Sequence, residues 1–218
     1  MESLWIIDSV VFKHPFSCLV AGPSQSGKTN LMFKILKHNR EIISPIPDRI
    51  VYCYSAWQEF FNQFSDIIPA IEFHKGIKTS EEFDSGINNL IVLDDLMQEC
   101  ESNIDMQNLF TKDSHHKNIS VFFLSQNLFS RGKYARTMSL NCQYIIAFNN
   151  PRDKFQLSVL GRQMFVENTK FFQEALKDIC ENKVHPYIFL DLRVSTSDKN
   201  RVQTGIIPGE TRFIYTPK

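Results

Sequence analysis

Eight consecutive residues, Gly22-Pro23-Ser24-Gln25-Ser26-Gly27-Lys28-Thr29, restrict what this chain can fold into more than any other stretch. They satisfy the pattern G-x-x-x-x-G-K-[ST] of a complete Walker A loop. The apolar, strand-like run Phe16–Ala21 precedes them, and Asn30–Lys37 follows with Leu31, Phe33, Ile35 and Leu36 at helical spacing. Glycines let the backbone curl tightly, so that successive N–H groups converge on phosphate oxygens at a helix N-terminus. Lys28 reaches the β- and γ-phosphates in such a loop, and the Thr29 hydroxyl supplies a ligand to Mg²⁺. The expected nucleotide contacts are therefore Gly22, Pro23, Ser24, Gln25, Ser26, Gly27, Lys28, Thr29 and Asn30.

At 218 residues and 43% hydrophobic content, the chain can bury a substantial core. No linker or internal repeat divides it, so residues 1–218 read as a single P-loop ATPase domain. No apolar run approaches the roughly 18 residues of a membrane span. Met1–Asp8 lacks the basic start and apolar core of a secretory leader. The five cysteines stand 35 to 47 residues apart with no Cys-x-x-Cys, which argues against disulfides and zinc and for buried thiols in a reducing compartment. Net charge is zero but unevenly spread. Arg40–Phe110 holds 4 basic and 13 acidic residues, and Thr111–Arg162 holds 8 basic and 2 acidic. A net charge of zero argues against a protein that coats nucleic acid. It is compatible with a local basic surface, with a ring in which the basic face of one subunit meets the acidic face of the next, and with an ordinary solvated surface.

Apolar runs recur at Phe16–Ala21, Arg49–Tyr54, Ile71–His74, Leu90–Leu93, Val121–Leu124, Tyr144–Phe148, Tyr187–Leu190 and Phe213–Tyr215. Helical patterns separate them at Asn30–Lys37, Ile104–Phe110, Asp153–Leu160 and Thr169–Cys180, with a weaker tendency at Ser80–Asp84. Continuously apolar strands alternating with helices imply an α/β fold with a mostly parallel sheet and helices on both faces. Ligands bind beyond the carboxyl ends of such strands. Gly22–Thr29, Asp94-Asp95 and Gln126 each follow a strand and are expected to meet at one edge.

Leu90-Ile91-Val92-Leu93-Asp94-Asp95 matches a Walker B strand. Asp94 is expected in the Mg²⁺ shell opposite Thr29, and Asp95 as the group that prepares the attacking water. Gln126, after the next strand, is placed to bridge the γ-phosphate or its water. Phosphoryl transfer also gains from a cation aimed at the transition-state charge. Arg131, Arg136, Arg152 and Arg162 are candidates, with Arg136 first and Arg162 second. The His115-His116 pair lies in a polar segment before a strand. It lacks further ligands at metal spacing and reads as a phosphate-contacting loop with Lys112 and Lys117, or as a solvated turn.

Several of these stretches together resemble the packaging branch of the FtsK/HerA superfamily, and most closely the poxvirus-type DNA-packaging ATPases of large DNA viruses, adintoviruses and Polinton-like elements. The residues that carry the resemblance are Ala21–Thr29, Tyr52–Trp57, Leu93–Asp95, Val121–Phe129, Gly132–Leu140 and Phe148–Gln163, within a likeness that runs from about Phe12 to Tyr215. The resemblance implies a RecA-like core and a homo-oligomeric ring around double-stranded DNA. It also implies ATP-driven packaging into a capsid, with capsid or portal proteins as further partners and no membrane. The expected setting is then the cytoplasm or nucleus of an infected host cell, or the virion. It gives Gln126 the role of polar sensor after the fourth core strand. Asp95 departs from the superfamily's common Glu.

Three other readings are open to a chain of this kind. A small-molecule P-loop kinase would use Arg131–Arg136 as a closing lid. A GTPase switch needs Asn-Lys-x-Asp, and Asn182-Lys183-Val184-His185 lacks the acid. A nucleotide-dependent scaffold would use the 19 phenylalanines at interfaces, although core packing is their commoner use.

Overall fold

The computed structural model describes residues 10–68, 71–181 and 185–217. Met1–Asp8 and Asn182-Lys183-Val184, considered above as leader and guanine motif, lie outside them. Eleven strands are present among the described residues: β1 (Phe12–Lys13), β2 (Ser17–Ala21), β3 (Ile43–Ser44), β4 (Arg49–Tyr54), β5 (Ile71–Lys75), β6 (Asn89–Asp94), β7 (Ile119–Ser125), β8 (Tyr144–Phe148), β9 (Tyr187–Asp191), β10 (Val202–Thr204) and β11 (Phe213–Tyr215). Nine of them form one sheet in the order β11-β10-β9-β8-β2-β7-β6-β4-β5, while β1 and β3 pair separately. From β8 to β5 every pair is parallel, and β9, β10 and β11 each run antiparallel to the preceding neighbour.

The central strands are apolar throughout because both faces are covered. Cys18 and Val20 of β2 join Tyr52, Val92 and Phe122 beneath helix Lys28–Lys37, whose Leu31, Met32, Ile35 and Leu36 are buried. Leu19 and Ala21 turn the other way, toward Cys53, Leu93 and Phe123 and the helices Ala135–Leu140, Phe155–Met164 and Thr169–Glu181. Alternation between two cores is what a doubly covered sheet demands. The phenylalanine surplus is largely spent here. Phe12, Phe16, Phe122, Tyr144 and Phe189 make one nest, with ring centroids 5.1 to 5.7 Å apart in the pairs that Phe12 and Phe16 form.

The sheet is mostly parallel, as expected, and its antiparallel flank has a geometric reason. Two helices, not one, lie between β8 and β9, so the chain returns to the end of the sheet from which it left. The links from β9 to β10 and from β10 to β11 are too short for a crossover. Helix boundaries also moved: the helix expected at Asp153–Leu160 is Phe155–Met164, and Met97–Ser102 and Ala135–Leu140 are helices with no strong periodicity in the sequence. The segment containing His116 is not a loop but the last turn of helical chain running from Ile104 through a wider turn at Leu109–Asp113.

Candidate functional site

The Gly22–Thr29 segment leaves β2 at the centre of the sheet, and Gly22 N donates to Ser125 O of β7 at 3.1 Å. Gln25 (φ 63) and Gly27 (φ 100) take left-handed conformations, after which helix Lys28–Lys37 begins. A side chain at Gly22 has no room: a Cβ there would stand 2.8 Å from both Phe148 Cβ and Ser26 Oγ. Ser26 Oγ is itself buried without a hydrogen-bond partner. Lys28 Nζ donates to the carbonyls of Gly22 (2.7 Å) and Pro23 (2.9 Å). Burial lowers the Lys28 pKa, and the negative charges of Asp94 and Asp95 oppose that shift.

Asp94 closes β6, which is separated from β2 by β7. It is buried, and faces the same side as Val92, toward helix Lys28–Lys37. Its Oδ2 accepts from Tyr52 Oη at 2.6 Å and from Thr29 Oγ1 at 3.5 Å. Burial raises the Asp94 pKa, Asp95 adds to the rise, and Tyr52, Lys28 and Thr29 oppose it. Asp95 is exposed and adopts φ 57, a left-handed turn that aspartate tolerates better than most residues. Its carboxylate accepts from Ser55 Oγ (3.3 Å) and Gln126 Nε2 (3.5 Å). These groups line a cleft of about 420 Å³ that contains Ser24, Gln25, Gly27, Lys28, Thr29, Asn30, Asp94, Asp95 and Gln126. Convergence of three strand ends on one edge, expected from the sequence, is what the fold delivers. Gly22, Pro23 and Ser26 do not line the cleft.

Sequence reasoning gave no role to Tyr52, Ser55, Gln58 and His185, although Gln58 and His185 also line the cleft. Tyr52 and Ser55 lie within the aromatic run Tyr52–Trp57 singled out above, but nothing in its spacing shows that they reach Asp94 and Asp95. A second hollow of about 550 Å³ shares Gly27, Asn30 and His185 and is walled by Phe148, Tyr187 and Phe213. Although larger, it lies beside the phosphate loop and holds neither carboxylate.

None of Arg131, Arg136, Arg152 and Arg162 lines either hollow. Arg136 is exposed on helix Ala135–Leu140, and Arg162 lies over the Phe155 ring. Of the Arg131–Arg136 stretch considered as a lid, Ala135 is buried against the body of the protein and opens helix Ala135–Leu140. Beyond Gln126, the backbone N–H groups of Leu128 and Phe129 both donate to Gln156 Oε1, at 2.8 and 3.2 Å. Gln156 Nε2 in turn donates to Asp153 Oδ2 at 2.6 Å.

The residues present fit a nucleotide-bound Mg²⁺. Thr29 Oγ1 and Asp94 offer hard oxygens side by side, and Mg²⁺ is commonly held by one or two carboxylates together with substrate phosphates. Among the described residues no group of three or more His, Cys, Asp and Glu could hold a metal by itself.

No family model and no curated protein matches the sequence. Solved structures do. The DNA-packaging ATPase B204 from Sulfolobus Turreted Icosahedral Virus superposes with a TM-score of 0.53 at 12% identity, covering 94% of this chain and 99% of that one. The fold is that of a P-loop NTPase. The genome packaging NTPase B204 from Sulfolobus turreted icosahedral virus 2, in complex with AMPPCP, gives the same TM-score of 0.53 and 12% identity over 94% of this chain and 98% of that one. In complex with AMP it matches over 84% and 95%, with a TM-score of 0.52. RecA-like architecture, with helices on both sides of a mostly parallel sheet, is common to all of them.

Proposed function

We propose that the protein is an ATP-hydrolysing motor that drives double-stranded viral DNA into a capsid. The observation that carries the reading is the meeting of the Gly27–Asn30 turn, the Asp94-Asp95 strand end and Gln126 around one cleft. Lys28 and the loop N–H groups would hold the phosphates, and Thr29 and Asp94 would hold Mg²⁺. Bound there, Mg²⁺ neutralises charge between the β- and γ-phosphates. Asp95, steadied by Ser55 and Gln126, is the group positioned to prepare a water. The aromatic hollow beyond Gly27 offers a place for the base. Asp95 and Gln126, two polar groups side by side in the cleft, suit water as the acceptor.

Ring assembly, an arginine from a neighbouring subunit, and capsid or portal partners follow from the resemblance to packaging ATPases. They agree with an Arg136 that is exposed and does not line its own chain's cleft. The test is steady-state ATP hydrolysis with and without long double-stranded DNA across protein concentration. The expected result is stimulation by DNA that steepens with concentration. Turnover indifferent to DNA and linear in protein would overturn the motor reading.

A further inference from the structure

We infer that Tyr52 is the positioning residue for the metal-holding carboxylate: its hydroxyl fixes the orientation of Asp94, and so sets the affinity of the cleft for a divalent cation. The inference rests on the reading of Asp94 as a metal contact.

The argument starts from strand register. β4 and β6 are parallel neighbours, with Tyr52 opposite Val92 and Tyr54 opposite Asp94. Tyr52 is therefore the diagonal neighbour of Asp94 on the same face, at a span that only a long side chain bridges. It does so with an O–H···O contact of 2.6 Å to Oδ2, in the range of charge-assisted bonds. Thr29 Oγ1 approaches the same oxygen less closely, at 3.5 Å. Oδ1 accepts no hydrogen bond among the described residues. The tyrosine thus fixes the carboxylate through Oδ2 and leaves Oδ1 to receive a cation or its waters.

What sets the direction of control is the packing of the ring. Tyr52 is fully buried, with Phe61, Phe64 and Phe73 at centroid distances of 5.1, 5.3 and 5.6 Å. A ring boxed on three sides does not follow a rotating carboxylate; the carboxylate takes the orientation that the hydroxyl dictates. Phenylalanine would fill the same volume, so core packing alone gives no reason for the hydroxyl. A buried carboxylate stripped of this bond is free to turn, and a cation that demands near-ideal oxygen geometry is sensitive to that.

The experiment uses the full chain, with Mn²⁺ as the probe, and counts free and bound ion by electron paramagnetic resonance in the presence of AMPPCP. Tyr52→Phe is compared with the unaltered chain and with Asp94→Asn. Loss of one hydrogen bond to a charged group predicts roughly tenfold weaker Mn²⁺ binding in Tyr52→Phe. AMPPCP binding in excess chelator should be unchanged. In turnover assays the Mg²⁺ concentration for half-maximal rate should rise by about the same factor, and saturating metal should restore most of the rate. If Asp94→Asn weakens Mn²⁺ binding and Tyr52→Phe does not, the inference fails and the site reading stands. If Asp94→Asn also binds Mn²⁺ as the unaltered chain does, both fall. If Tyr52→Phe loses AMPPCP binding in chelator as well, the hydroxyl supports the fold at large and the inference is overturned.

Discussion

Lys28 concentrates the electrostatics of the cleft. Its ammonium is partly buried, bonded to two carbonyls of its own loop, and within the field of Asp94 and Asp95. A cation so placed does little for folding, because its hydrogen bonds replace those it would make to water. Its value lies in the phosphates that the loop would receive. Lys28→Ala is therefore expected to cut ATP turnover by roughly a hundredfold or more while leaving thermal unfolding close to that of the unaltered chain. Retained turnover would remove the site assignment. The residues that form this centre differ in how far the sequence exposes them. Lys28, Thr29 and Asp94 are legible because loop geometry ties residue type to spacing. Tyr52 is not, because the fact that matters is a diagonal across two strands whose adjacency no local pattern records.

Among the elements, the start of β7 shows how a polar cluster can tie together the N-terminal ends of the adjacent strands β2, β7 and β6. His14 Nε2 donates to Asn118 Oδ1 at 2.8 Å, and its Nδ1 is hydrogen-bonded with Ser120 Oγ at 2.5 Å. Asn118 Nδ2 is committed to Ile87 O and Asn88 Oδ1, which leaves its Oδ1 to accept from the ring. Burial lowers the His14 pKa below its usual 6.5, against the raising effects of Asn118 and Asp48. The sign follows: the unfolded chain takes up this proton first, so stability is held above about pH 6.5 and declines as pH falls below it. In urea titrations the unaltered chain should lose midpoint between pH 7.5 and pH 5, and His14→Gln should lose less. Equal losses would clear His14 of the effect. The elements themselves were legible wherever a strand is apolar on both faces. Helices Met97–Ser102 and Ala135–Leu140 were not, since each is six residues long and too short to show a period. β10 was missed because Val202-Gln203-Thr204 is held by its neighbours on either side and not by its own composition.

For the whole molecule, the sheet brings Lys28, Thr29, Asp94, Asp95 and Gln126 to one cleft, and Arg136 is exposed on the surface without lining it. If the missing cation comes from a neighbouring copy, Arg136→Ala should bind ATP normally and turn it over at least a hundredfold more slowly. Mixed with the equally inactive Asp95→Ala, it should recover part of the rate, because some interfaces then carry an intact arginine and an intact carboxylate. No recovery in mixtures would remove the assignment. The segment after β7 bears on any such cycle. Leu128 and Phe129 are pinned by their N–H groups to Gln156 Oε1, in the first turn of helix Phe155–Met164. Gln126 therefore lies two residues from an anchor on that helix. A displacement at the phosphate end would thus have a hydrogen-bonded route to the outer layer, through Gln156 and on to Asp153.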